Sequence, residues 1–178
     1  MRQIRNASIF LFAAAGLGAS VLAHEGEELV AAPVELTAEE QAVIDTLDAY
    51  SRAVAAADLD AVEAVVVTDE SFSYGEGAHL DVGWQSFAKH MEPEFAAFGD
   101  ATYTFTDVHP FVSGDMAYAH LHYDMNVVVL SDQFEGGKHP VSMKGLGTVV
   151  LVKDDGDWKI RHMHMVRDTS KPAEPAAE

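Results

Sequence analysis

The spacing of apolar residues changes near residue 100, from a helical period to the alternation typical of strands. One helical stripe is predicted by Val43, Leu47, Tyr50, Val54 and Ala57. Thr37 and Glu40 have the spacing of a capping box, which predicts the start of this helix. Asp58 is expected to cap a second, short helix that reaches about Val67.

The remaining pattern predicts strands around one further helix. A short strand is expected over 71–74 and a helix over 84–98, with a break at Pro93 because proline cannot donate a backbone hydrogen bond. Four longer strands are predicted over 101–112, 115–130, 141–153 and 157–167. Tight turns between the first two and the last two predict hairpins. This order of elements indicates an α+β domain with helices on one face of an antiparallel sheet.

Two of these strands carry paired histidines at alternate positions. If the alternation is strict, one face of the last strand presents Trp158, Ile160, His162, His164 and Val166. The corresponding face of an earlier strand presents Tyr118, His120, His122, Asp124 and Asn126. Because Trp158 and Ile160 are typical core residues, we interpret the histidine faces as concave, with four imidazoles pointing into one space.

The first residues have the pattern of a secretory signal peptide. Arg2 and Arg5 precede an apolar run over 9–22, and Val21 to Ala23 fits a cleavage site for small residues. We therefore expect a signal peptide over 1–23 and a periplasmic or secreted protein. An acidic, flexible leader is expected over 24–35, the folded domain over 36–169 and a disordered tail over 170–178.

The charge of the chain argues against several classes of partner. The net charge is −18, and removal of residues 1–23 would take away two basic and no acidic residues, giving −20. Such a protein repels phosphates, so we expect no nucleic acid partner and no membrane partner after signal cleavage. The chain has no cysteine, which excludes disulfides and thiol chemistry.

Three stretches resemble the SnoaL-like branch of the nuclear transport factor 2 (NTF2-like) superfamily, at 55–62, 114–121 and 155–164. They look especially like the group related to the association domain of calcium/calmodulin-dependent kinase II. The resemblance implies an NTF2-like cone, in which a strongly curved antiparallel sheet wraps around N-terminal helices and leaves an internal pocket. It also implies a homodimer or a higher homo-oligomer. Members include isomerases, dehydratases, polyketide cyclases and non-catalytic assembly domains, so the fold does not fix the function.

Two departures from the family pattern matter. Asp58 matches the aspartate of dehydratase-type members by position, but residues 95–98 offer no histidine as its partner. Asp58 is therefore interpreted mainly as a helix cap. The kinase association domain has an arginine where this chain has His120, so the resemblance does not support a pocket adapted to carboxylates.

The predicted ligand pocket combines the histidine pairs with aromatic side chains. Its residues are Tyr50, Trp84, Tyr118, His120, His122, Trp158, His162 and His164. Tyr74 and His90 are further candidates for its mouth or floor. The leading interpretation is a protein that binds a small organic ligand, with His120 or His162 moving a proton in an isomerisation, dehydration or cyclisation. The sequence leaves open whether the protein is an enzyme.

Other functions remain open. His120, His122, His162 and His164 could together bind zinc or copper, because three or four converging imidazoles suffice for either metal. No other cofactor is expected. The histidines could instead form a hydrogen-bonded polar patch, and the protein could be a non-catalytic oligomerisation module. His79 lies near a turn and is expected to be solvated, and Gly145 and Gly147 predict a bulge or a close backbone approach.

Overall fold

The computed structural model describes residues 35–169. The predicted signal peptide, nearly all of the predicted leader and the predicted tail lie outside the described residues. The helices are α1 (Ala38–Ala55), α2 (Leu59–Glu63) and α3 (Trp84–Ala96). The strands are β1 (Ser73–Glu76), β2 (His79–Val82), β3 (Phe98–Ser113), β4 (Met116–Leu130), β5 (Lys138–Asp154) and β6 (Asp157–Arg167). A 3₁₀ turn at Glu135–Gly137 precedes β5.

Local sequence signals account for the first helices. The Thr37 hydroxyl accepts from the Glu40 backbone N–H at 3.2 Å, and the Glu40 carboxylate accepts from the Thr37 backbone N–H at 2.8 Å. This capping box satisfies two donors that the first turn would leave free. The predicted stripe is buried at Val43, Leu47, Tyr50 and Val54, whereas Ala57 is half-buried.

The six strands form one curved sheet in the order β2-β1-β6-β5-β4-β3. The predicted α+β cone is confirmed, and its long strands are antiparallel neighbours as expected. One pairing differs from the expectation of a purely antiparallel sheet, since β1 runs parallel to β6.

Two element predictions were wrong. The strand β2 was not predicted. It is the four-residue second strand of a hairpin with β1, and the glycines after residue 74 belong to that hairpin. A strand this short shows too few alternations to stand out in the sequence. The helix α3 continues through Pro93, which lies in its last turns. Its exposed position there makes the missing backbone donor tolerable.

A bulge in β6 decides which side chains face the core. Val150 pairs with His162 and Leu151 pairs with Ile160, so Arg161 has no counterpart on β5. Because the extra residue reverses the alternation, Ile160 faces inward while His162 and His164 face outward. The buried side chains beyond the bulge are Met163 and Met165.

The inner face of β4 carries the buried alternate set Ala117, Ala119, Leu121, Tyr123, Met125 and Val127. The predicted histidine face is therefore the outer face, and the expectation that it is concave is wrong. Helices α1 and α3 cover the inner face, and the core lies between them and the sheet. Within residues 35–169, no helix combines the length and the apolar character needed to cross a membrane.

Candidate functional site

A cavity of about 400 Å³ lies between the helices and the inner face of the sheet. Apolar side chains form much of its wall, among them Val54, Phe87, Met91, Phe98, Met125 and Met143. Its volume falls in the range of small-molecule sites, which are usually apolar with a few placed polar groups. The polar groups here are three tyrosines together with Glu76, His90 and Glu94.

The tyrosines come from three different elements. Tyr50 lies on α1, Tyr74 on β1 and Tyr103 on β3. The Tyr74 hydroxyl donates to the Glu76 carboxylate at 3.2 Å, whereas those of Tyr50 and Tyr103 have no hydrogen-bond partner among residues 35–169. No buried polar side-chain atom is left unsatisfied in the same range. The hydroxyls of Tyr50 and Tyr103 therefore border open space in the cavity.

Burial keeps these phenols protonated. Desolvation raises the pKa of Tyr50, with a smaller contribution from Glu76. Burial also raises the pKa values of Tyr74 and Tyr103 well above the usual range, and their tyrosine neighbours and Glu76 add to the effect. All three hydroxyls are thus neutral, and those of Tyr50 and Tyr103 can donate to a ligand oxygen.

A hydrogen-bonded cluster around Asp81 lies at the β2 edge of the sheet. Asp81 is 3% exposed, and its Oδ2 lies 2.8 Å from His90 Nδ1 and 3.1 Å from His79 Nε2. Its Oδ1 accepts from the Ser86 hydroxyl at 2.7 Å. Burial alone would raise the pKa of Asp81, but the bonds from Ser86 and the histidines outweigh it, so that the pKa is lowered.

The register of β1 and β2 explains how this cluster forms. Asp81 pairs with Tyr74 and His79 pairs with Glu76, so these four side chains share the inner face of the hairpin. The helix α3 lies over them and supplies His90. The second nitrogen of His90, Nε2, lies 3.2 Å from Glu94 Oε1, one helical turn further on.

His90 belongs both to this cluster and to the cavity wall. Burial alone would lower its pKa, but the Asp81 and Glu94 carboxylates outweigh that effect and raise it. The ring is therefore a polar group held in a fixed orientation at the edge of an apolar chamber.

Of the predicted ligand-pocket residues, Tyr50 lines this cavity and the other seven do not. Tyr74 and His90, proposed for the mouth or floor, line it as well. Trp84 is buried beside Phe72 and Phe87, with ring centroids 6.1 and 5.7 Å away. Trp158 is buried at the opposite end of the domain, where its indole N–H donates to Glu39 at 2.9 Å.

The remaining predicted residues lie on the outer face of the sheet. Tyr118, His120, His122 and His164 are exposed and His162 is half-buried. His162 Nδ1 lies 2.8 Å from the Ser73 hydroxyl, and His122 Nδ1 lies 3.1 Å from Asp107. His122 also borders an outer groove of about 500 Å³ that contains Lys144 and Arg167.

The four histidines predicted to share a metal do not converge. His120 and His164 flank Thr148 in one row, so a whole strand separates them. Within the described part of the chain, the one group of three or more histidine or acidic side chains with metal-binding spacing is His79, Asp81 and His90. The predicted zinc or copper site is therefore wrong in its location, because β5 lies between the two strands that carry these histidines and keeps their imidazoles apart.

The sequence patterns did not single out Asp81, Glu76, Glu94 or Tyr103, and His79 was expected to be a solvated turn residue. Some signals were present. His79 and Asp81 have strand spacing, and His90 and Glu94 have helical spacing. On β4, the set that includes Leu121, Met125 and Val127 is more apolar than the histidine set, which favours it for the core.

Asp58 is a helix cap, as interpreted from the sequence. Its carboxylate accepts from the Ala61 backbone N–H at 2.9 Å, and α2 follows directly. Its side chain is exposed and does not line the cavity.

Comparisons with known proteins agree with this fold. A family model of the SnoaL-like domain matches residues 43–165. The fold is similar to an NTF2-like superfamily protein from Salmonella enterica, at 15% identity and a TM-score of 0.66, covering 78% of this chain and 96% of that one. It is also similar to a ketosteroid isomerase-like protein from Erwinia carotovora, at 19% identity and a TM-score of 0.60, covering 76% and 100%. No curated protein shows significant similarity.

Proposed function

The chain belongs to the SnoaL-like domain family, and we propose that its cavity binds a small, largely apolar organic molecule that carries a hydroxyl or carbonyl group. The observation that carries the proposal is the pair of buried tyrosines, Tyr50 and Tyr103, whose hydroxyls have no partner within residues 35–169 and border an apolar cavity of about 400 Å³. A ligand oxygen that accepts from them would satisfy donors that otherwise meet only water.

The shape of the ligand follows from the walls. Aromatic rings and methionines surround the space, and both pack well against flat, cyclic hydrocarbons. Glu76 and Glu94 are the acidic groups at this wall, and none of the described residues that line it is a lysine or an arginine. A neutral ligand therefore fits better than a carboxylate or a phosphate, which would meet like charge.

A fluorescence titration tests binding in the cavity. N-phenyl-1-naphthylamine, a neutral fluorescent probe, should be displaced by naphthol, and the Val141→Trp variant, which fills the cavity from β5, should bind neither. Val150→Trp is the matched control, because it adds the same ring to the outer face of the same strand. Equal binding by both variants would refute the location.

A second variant tests the hydroxyls. Tyr103→Phe removes one donor and keeps the ring, so naphthol should bind up to about tenfold more weakly while naphthalene is unaffected. An equal loss for both compounds would show that the tyrosine contributes packing only.

Catalysis of isomerisation, dehydration or cyclisation is the finer part of the proposal. His90 lines the cavity, whereas His120 and His162 lie on the outer face, so His90 replaces them as the candidate for proton transfer. If a bound compound is turned over, His90→Gln should abolish product formation and His120→Gln should leave it unchanged. Turnover that persists in His90→Gln would contradict this assignment.

Two further proposals concern the setting of the protein. Export is supported by the signal-like residues 1–23, and cell fractionation with N-terminal sequencing should find a mature chain that starts at His24.

A homodimer is supported by exposed apolar side chains on the outer face, including Phe111, which is 58% exposed, and Leu146, which is 56% exposed. An oligomerisation module without a ligand would keep this face and leave the cavity empty.

A further inference from the structure

We infer that His79, Asp81 and His90 form a binding site for a divalent transition metal of the Zn²⁺ class. The site differs from the one predicted on the strands β4 and β6. Its three side chains come from the first and third residues of β2 and from the middle of α3, and one ligand atom from each lies within 4.8 Å of the others.

The donor set fits such a metal. Two imidazoles and one carboxylate form a common set of protein ligands for zinc and for non-haem iron. A tetrahedral ion with bonds of about 2.1 Å separates its ligand atoms by about 3.4 Å. Here Asp81 Oδ2 lies 2.8 Å from His90 Nδ1 and 3.1 Å from His79 Nε2. An ion that replaced the shared protons would therefore lengthen these two separations from Asp81 by about 0.6 and 0.3 Å.

The atoms behind the ligands are also in place. The second nitrogen of His90 is 3.2 Å from the Glu94 carboxylate, and the second oxygen of Asp81 accepts from Ser86. Metal-bound histidines usually donate their other N–H to a carboxylate or carbonyl, and bound carboxylates are themselves hydrogen-bonded. Two of the three ligands thus already have the supporting partners that orient them.

The cluster lies next to the cavity, so a bound metal ion could contact a ligand there. His90 and Glu94 belong to the cavity wall, so an ion on His90 would lie at the edge of the proposed ligand chamber. Three protein ligands leave at least one coordination position for water or for a ligand oxygen. The metal site does not depend on the proposed organic ligand, since metal binding can be measured in its absence.

Zn²⁺ titration of the untagged, chelator-treated protein tests the inference. We expect one ion per chain, and His79→Ala should weaken binding at least about tenfold. His79 is suited to this test because its side chain is half exposed, so its removal leaves the core intact. The matched control is the double variant His120→Ala/His164→Ala, which removes two outer-face imidazoles and should bind Zn²⁺ as the parent does.

Two measurements give the location independently. Co²⁺ bound to the parent protein should show the visible absorption bands that are typical of a cobalt ion with four or five ligands. The His79→Ala variant should lose these bands. Anomalous diffraction from a zinc-soaked crystal should place the ion between His79, Asp81 and His90. The inference is overturned if the parent takes up no Zn²⁺, if His79→Ala binds it equally well, or if the anomalous peak lies at the outer-face histidines.

Discussion

Ile160 and His162 are two positions apart on one strand, yet they lie on opposite faces of the sheet. Arg161 between them is the extra residue of a β-bulge. Ile160 is fully buried in the core, whereas His162 is half-buried beside Ser73. This arrangement gives His162 a partly desolvated position without a carboxylate partner among its hydrogen bonds.

The stability of the protein should depend on pH through His162. Burial and the neighbouring His164 lower the pKa of His162 below its ordinary value of 6.5. The unfolded state then binds more protons than the folded state, so the free energy of unfolding should decrease as pH falls through about 6.5. His162→Gln should flatten this decrease in urea unfolding at a series of pH values. Thr102→Val, an exposed change on β3 that removes no titratable group, should leave the slope unchanged, and an equal effect of both variants would contradict the assignment.

Asp58 should contribute to stability and not to ligand binding. Its carboxylate caps α2, so Asp58→Ala should lower the free energy of unfolding by about 1 kcal/mol. Glu63→Ala, at the other end of the same helix, provides a control with little expected effect. Affinity for naphthol should be the same in both variants. A loss of affinity in Asp58→Ala alone would restore the catalytic interpretation suggested by the family position.

Gly145 should tolerate alanine worse than Gly147 does. A methyl group at Gly145 would overlap the Val166 carbonyl oxygen, which belongs to the backbone of the adjacent strand. At Gly147 the nearest atoms are side-chain ends of Leu121 and Met165, at 2.8 and 2.9 Å, and these can move. Urea unfolding should show a loss of about 3 kcal/mol for Gly145→Ala and a smaller loss for Gly147→Ala. Equal losses would mean that the sheet can open locally at Val166.

The outer face should mediate self-association. Leu146 lies between His122 and Val166 across the strands, and Val166 is itself 49% exposed. Leu146→Asp places a charge in this apolar patch and should convert a dimer into a monomer in sedimentation velocity experiments. Leu36→Asp, an exposed apolar position before α1, should leave the association state unchanged. A parent protein that sediments as a monomer would refute the proposed homodimer.

The parts of the fold that were predicted correctly depend on local signals. Thr37 and Glu40 specify the start of α1 within four residues, and the turn at residues 154–156 specifies the β5–β6 hairpin. Such features follow from backbone hydrogen bonding and turn geometry, which neighbouring residues decide.

The site was predicted less well because it depends on pairing between distant segments. The bulge at Arg161 arises from the register with β5 and carries no glycine or proline signal. One unnoticed residue reverses every side chain after it, which moved His162 and His164 to the wrong face in the sequence interpretation. The same error made the histidine set of β4 look like the concave one. Asp81 was missed because β2 is too short to display a period.

The parallel pairing of β1 with β6 has a consequence for the order in which the protein is assembled. Among the described strands, the β1–β2 hairpin has β6 as its only neighbour, and Ser73 bonds to His162, which lies 89 positions further along the chain. The hairpin carries His79 and Asp81, yet it cannot dock on the sheet until the last strand has been synthesised. The Asp81 cluster should therefore be among the last parts of a nascent chain to form. A chain truncated before β6 would keep every residue of the cluster and lose the sheet edge that holds two of them in place.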